Sequence, residues 1–199
     1  MSVQELLPAV FERDDLRNCI RLRLSGASEF PPVQVRFPKA GRKRVAGTLS
    51  PTGLDFPYPA SLRAESAVVL QVEVAGEQLR WQGPLAAVRD ATPPAIRVSI
   101  CEHDPARGFL RLTGWVAGLP KQARILLYAG GRAIAETRVD KRRPDVAEAH
   151  PLLPVACGFD LRAEFSDAAL ADTLELRALY GKSDRTLTIA PVIPPRTVE

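Results

Sequence analysis

Two histidines and three cysteines in 199 residues leave little material for metal or nucleophilic chemistry. Cys19, Cys101 and Cys157 are far apart and odd in number, and they form no Cys-x-x-Cys pair. Neither a disulfide framework nor a zinc ribbon is spelled out. His103 stands two residues from Cys101, but a structural zinc site needs four ligands, and His150 is the only other histidine. The thiols read as buried or half-buried groups in a reducing compartment, which makes the cytoplasm the expected location. Aromatics make up 6% of the chain and fall mostly at alternating strand positions rather than between clustered cations, so nucleic acid is not the expected partner. There is no run of about 18 apolar residues and no charged-then-apolar start, so neither insertion into a membrane nor a secretory leader is expected.

Catalytic signatures are absent as well. The chain has no G-x-S-x-G elbow, no H-E-x-x-H helix, no phosphate-binding Walker loop and no G-x-G-x-x-G after a strand. Glu102, His103 and Asp104 are adjacent, and the reading is loop charge rather than an acid–base pair. The expectation is a protein that binds, with no enzyme activity and no cofactor.

What is present is punctuation. Eighteen prolines and 13 glycines are spread along the chain, more than a helical bundle tolerates, and they separate many short elements. Ser2 and Glu5 have capping-box spacing, and Val3, Leu6, Leu7, Val10 and Phe11 follow a helical period interrupted by Pro8, so a short or kinked helix is expected there. From residue 20 the period becomes two. Ile20, Leu22 and Leu24 alternate with arginines, and Val33, Val35 and Phe37 alternate with Gln34 and Arg36. Val68 to Val74 and Leu79 to Trp81 make a hairpin with one apolar face. Turn signals cluster at Arg89-Asp90-Ala91-Thr92-Pro93-Pro94, where the domain boundary is placed. Seven further strands follow, among them runs on either side of Gly130-Gly131, and they suit an antiparallel, immunoglobulin-like sandwich. The expected organisation is all-β: a β-barrel over 1–92, a β-sandwich over 95–190, and a proline-rich tail over 191–199.

A local run of cations marks the first half. The net charge is +4, and only five of the 27 cations are lysines, arginine being the better fork for phosphate or carboxylate. Arg13 and Arg17 are four apart. Arg36, Lys39, Arg42, Lys43 and Arg44 put five cations in nine residues, with no acid between Glu29 and Asp55. Thr48-Leu49-Ser50-Pro51-Thr52-Gly53 then supplies a Ser-x-x-Gly turn whose amides could approach an anion. The order Arg-x-x-x-Arg, strands, Ser-x-x-Gly, strand, hairpin resembles the PilZ domain over roughly residues 10 to 90. That resemblance implies a small β-barrel binding cyclic di-GMP through Arg13, Arg17, Thr48, Ser50 and Gly53, with the arginines on an arm that orders over the ligand. Thr48 stands where the family pattern has Asp or Asn, which makes the match a degenerate one.

The second half carries Gly114-Trp115-Val116, Tyr128-Ala129-Gly130-Gly131-Arg132, Arg142-Arg143-Pro144-Asp145-Val146 and Cys157-Gly158-Phe159-Asp160-Leu161, in that order. The string resembles a β-sandwich module attached to bacterial glycosyltransferases and other surface-polysaccharide proteins. What it implies is an accessory unit, in or beside such a protein. Its candidate glycan contacts are Trp115, Tyr128, Arg143 and Asp145. Read from physics alone, Trp115 is a core anchor, and Arg143 and Asp145 fix a loop. The combined expectation is a regulatory or binding unit of a polysaccharide system, with a glycosyltransferase or polysaccharide-synthesis protein as partner. It senses cyclic di-GMP or, in the alternative, holds a glycan without any nucleotide role.

Overall fold

The structure is a computed structural model that describes residues 11–22, 32–38, 44–50, 53–74, 77–104, 107–164, 174–180 and 185–189, with the backbone alone at 44, 50, 74 and 185–189. The helix expected from Ser2 onward lies outside these residues up to Val10, and Phe11 itself opens a strand. The cations Lys39, Arg42 and Lys43 and the tail from Pro191 also lie outside them. The chain divides into two compact units, Met1–Pro93 with Asp145–Pro154, and Pro94–Pro144 with Val155–Glu199. The joint therefore falls between the two prolines, where neither residue has a backbone donor to offer a ladder.

In the first unit the strands are β1 (Phe11–Asp14), β2 (Cys19–Leu22), β3 (Val33–Arg36), β4 (Arg44–Val45), β5 (Thr48–Ser50), β6 (Gly53–Pro57), β7 (Ala67–Val74), β8 (Glu77–Pro84) and β9 (Arg89–Asp90). They form a five-stranded sheet, β5-β6-β2-β1-β9, and a four-stranded sheet, β4-β3-β7-β8. Period-two alternation explains both. Phe11, Ile20, Leu22 and Phe56 from one sheet meet Val35, Val68, Leu70 and Val72 from the other in a single buried cluster. Among the described residues no ladder joins the two sheets, so a closed barrel is not shown. Arg89–Asp90, expected as part of an irregular break, instead pairs in parallel with β1.

In the second unit the strands are β10 (Ala95–Asp104), β11 (Phe109–Ala117), β12 (Arg124–Ala129), β13 (Arg132–Arg138), β14 (Gly158–Glu164), β15 (Leu174–Tyr180) and β16 (Arg185–Ile189). They form the sheets β10-β11-β14 and β13-β12-β15-β16. Leu110, Leu112, Phe159 and Leu161 from the first close against Ile125, Leu127, Leu174 and Leu176 from the second. This is an antiparallel sandwich of immunoglobulin-like architecture. It differs from the constant-domain order in that its fourth strand, β13, stays beside β12. Gly130 and Gly131, at φ 55° and 80°, supply the two positive-φ positions of the β12–β13 turn. Glu102, His103 and Asp104, expected on a loop, lie on β10.

One segment departs from the expected contiguous second domain. Helix α1 (Pro144–Ala149) and the turn after it belong to the first unit from Asp145 to Pro154. Leu152 packs against the first unit's core, and Asn18 Nδ2 donates to the Ala149 carbonyl at 2.7 Å. Pro144 opens the helix at a position that needs no amide donor. The loop expected around Asp145 is thus the first turn of a helix. A ten-residue apolar-and-polar mixture inside a strand-rich half gives no sequence sign of which core it joins.

Candidate functional site

The first candidate constellation starts on β1 and the turn after it. Asp14 Oδ1 accepts the amides of Leu16 and Arg17, each at 3.1 Å, closing an Asx-type turn. Asn18 completes it at φ 51°, a left-handed position that asparagine tolerates. Arg13 and Arg17 therefore sit on a hairpin, not on a mobile arm.

The two arginines have different environments. Arg13 is paired in register with the core residue Ile20, and its side chain is 12% exposed. Its Nε donates to Asp15 Oδ1 at 2.8 Å. Its Nη1 donates to the carbonyls of Ala86 and Val88 at 3.0 Å, and Nη2 lies 3.5 Å from Asp90. These bonds tie β1 to the turn Leu85–Ala87 and to the residues before the joint. Asp15 accepts the Tyr58 hydroxyl at 3.1 Å, and burial pushes its carboxyl above the usual range despite the Arg13 guanidinium. Tyr58, buried beside Asp15, is pushed upward as well. Arg13 is thus the centre of a structural network. Arg17 is exposed and lies 3.7 Å from Asp14.

Thr48 is exposed at the sheet edge. In register, Thr48 faces Asp55, Asp55 faces Arg21, Arg21 faces Glu12, and Glu12 faces Arg89. Arg21 grips Asp55 bidentately at 2.6 and 3.0 Å, and Arg89 lies 3.7 Å from Glu12. The row is a charge ladder already neutralised within the sheet. Ser50 and Gly53 close the β5–β6 pairing, and Gly53 at φ 146° has a backbone reason to be glycine that involves no ligand.

These residues do not converge. Cys19, next to the Arg17 turn, pairs with Pro57, whereas Gly53 lies past the pair Leu22–Leu54. The strand from Gly53 to Pro57 covers about 13 Å. Arg17 and the Ser50–Gly53 pair stand at opposite ends of the sheet, and Arg13 is engaged elsewhere.

The second constellation divides between the two outer faces of the sandwich. Trp115 faces outward on β11, because Leu112, Gly114 and Val116 belong to the register that faces inward towards the core. It is half-buried, and it is absent from the core cluster in which sequence reasoning placed it. Its partners in register are Arg97 and Gly158. A Cβ on Gly158 would stand 2.7 Å from Arg143 Cγ, so the arginine stem fills the space that the glycine leaves. Arg143 Nη1 also donates to Ser99 Oγ at 3.2 Å. Trp115 and Arg143 are therefore brought together around Gly158. The next rows of the face hold Ile100, Thr113 and Asp160, then Glu102, Arg111 and Arg162. Arg111 grips Asp160 at 3.1 and 3.0 Å and holds its carboxyl below the usual carboxylate range.

Tyr128 lies on the opposite outer face, paired with Glu175 on β15. The Arg177 guanidinium stacks over its ring at 4.1 Å and is held there by Glu175 at 2.6 Å. That ring face is occupied. Asp145, exposed on α1, belongs to the other unit. Among the described residues no group of three His, Cys, Asp or Glu is placed to hold a metal ion, and no helix is long and apolar enough to cross a membrane.

Sequence reasoning missed the basic concavity over the four-stranded sheet of the first unit. Arg36, Val69, Gln71, Arg80 and Gln82 line it with Pro38. The cation run starting at Arg36 was the available signal. What it lacked was the partner strand that carries Arg80.

No family model matches this chain, and no curated protein does. Among solved structures it is similar to one described as "Crystal structure of Dpr2 Ig1-Ig2 in complex with DIP-Theta Ig1-Ig3", at 13% identity, over 91% of this chain and 92% of that one, with a TM-score of 0.32. A superposition that loose carries no argument about what this chain binds.

Proposed function

We propose that this chain is a non-enzymatic binding unit whose second domain holds a glycan on the outer face of β10-β11-β14, as an accessory to a polysaccharide-synthesis protein. The observation that carries this reading is the outward, half-buried position of Trp115 beside Arg143. Sugar rings stack their C–H faces on an aromatic plane while neighbouring polar groups take the hydroxyls, and a flat sheet face offers both at once. Thr113, Ser99 and the Arg111–Asp160 pair supply donors and acceptors within one or two rows of Trp115. The order of the Gly-Trp, Arg-x-Asp and Gly-Phe segments adds the link to glycosyltransferases. Affinity electrophoresis of the full chain through gels containing bacterial exopolysaccharides tests it. Retardation that disappears in Trp115→Ala but persists in Tyr128→Ala is expected. Equal migration of wild type and Trp115→Ala in every polysaccharide gel would sink the reading.

A further inference from the structure

The first unit contains a basic hollow that neither motif announced. On the outer face of β4-β3-β7-β8, Arg36 stands in one row with Val69 and Gln82, and Arg80 stands in the next row with Gln71 and Gln34. The two arginines thus flank the central strand β7 from either side, roughly two strand spacings or 10 Å apart across the sheet. Side chains of that length reach inward over Val69, which is 7% exposed although it is on the outer face. The concavity between them has a volume of about 320 Å³. Among the described residues its lining includes two guanidinium groups, two carboxamides and no carboxylate.

Arg36 is held by a neutral neighbour. Its Nη2 donates to Gln34 Oε1 at 2.8 Å, which fixes the plane of the fork. Its Nε is shielded from solvent and has no hydrogen-bond partner among the described residues. The Gln34 contact is neutral, so the guanidinium keeps its full charge for an anion seated in the concavity. Arg80 makes only a long contact, 3.4 Å, to Gln82 Oε1. Other arginines of this protein are gripped by acids, as Arg21 is by Asp55 and Arg111 is by Asp160. Here two of them share a hollow with no acid among its described lining residues.

We propose that this concavity binds a phosphate monoester, with Arg36 and Arg80 gripping the phosphoryl oxygens and Gln71 and Gln82 directing the substituent. Two forks suit a tetrahedral dianion with several equivalent acceptors better than a single carboxylate. Among the described residues no aromatic side chain lines the hollow to stack a base, and a compact non-aromatic substituent such as a polyol or sugar fits. The proposal is independent of the glycan reading, since it concerns the other unit and other residues.

Titration calorimetry of the full chain with glycerol phosphate and with inorganic phosphate tests it, alongside vesicles of phosphatidylcholine doped with phosphatidic acid. Binding of the free monoester is expected to weaken about tenfold or more in Arg36→Gln and in Arg80→Gln. It should be unchanged in Arg138→Gln, which alters the basic hollow formed by Lys121, Gln122, Ala123, Arg124 and Arg138. Arg80 is exposed, so Arg80→Gln keeps the test valid if Arg36→Gln perturbs folding. Absence of heat with either free ligand, an equal response in Arg80→Gln and wild type, loss on Arg138→Gln, or binding to the doped vesicles alone would each overturn the proposal.

Discussion

The Arg13 guanidinium donates to the Asp15 carboxylate at 2.8 Å, and both side chains are nearly closed to solvent, at 12% and 2% exposure. Two residues apart in sequence, they bind β1 to the turn before the joint through the carbonyls of Ala86 and Val88. Asp15 is further held by the Tyr58 hydroxyl, and its amide donates to Thr92 Oγ1 at 2.8 Å.

Removing Arg13 therefore leaves a buried carboxylate without its cationic partner and two carbonyls without their Arg13 donor. Arg13→Ala is expected to destabilise the chain by about 3–5 kcal/mol, the usual cost of breaking one side of a buried pair. Arg17→Ala, at an exposed position, should cost no more than about 0.5 kcal/mol. Urea unfolding of the two variants checks the contrast. Equal small losses would mean that Arg13 is not structural.

The two aspartates respond oppositely to acid. Asp15 has a raised folded pKa, so the folded state binds its proton more tightly. Its unfavourable contribution sets in as pH rises above its unfolded value of 3.8 and is relieved on acidification through that window. Asp160 has a lowered folded pKa, so its contribution is present above pH 3.8 and is lost as pH falls below that value. Asp160→Asn should flatten the loss of stability below pH 4, and Asp15→Asn should flatten the decline above it. Denaturation midpoints between pH 2.5 and 6 measure both.

The thiol of Cys19 is pushed up to about 11, chiefly by burial and then by the Asp55 and Asp14 carboxylates. At pH 8 it should resist a thiol-specific disulfide reagent in the folded protein and react promptly once the chain is unfolded. Mass mapping of the labelled peptide reads the result.

Trp115 and its neighbour Gly114 should respond in the reverse of the order that residue size suggests. Trp115→Ala removes an outer-face side chain and is expected to cost about 1 kcal/mol. Gly114→Ala would drive a Cβ into the Arg97 carbonyl oxygen and to 2.6 Å from the Phe159 ring, and it should cost more than about 2 kcal/mol. Thermal melts of the two variants rank them.

Much of the fold was legible because strand alternation is local. Ile20 and Leu22, Val68 to Val72, and the runs around Gly130-Gly131 announce their own faces, and Pro93-Pro94 announces a joint. The sites were not legible in the same way. Arg13 and Arg17 are alike in type and spacing, yet one faces the core side of a sheet and the other faces water. Trp115 follows Gly114 as a core anchor might, yet the two-residue period turns it outward. Arg36 and Arg80 are 44 positions apart, and the segment from Asp145 to Pro154 joins a unit whose strands end long before it. What the sequence determined by itself was which stretches become strands, since alternation is a property of neighbours. Which arginines are neutralised and which line a shared hollow was decided by register and sheet order, because charge pairing depends on distances that only the assembled sheets define.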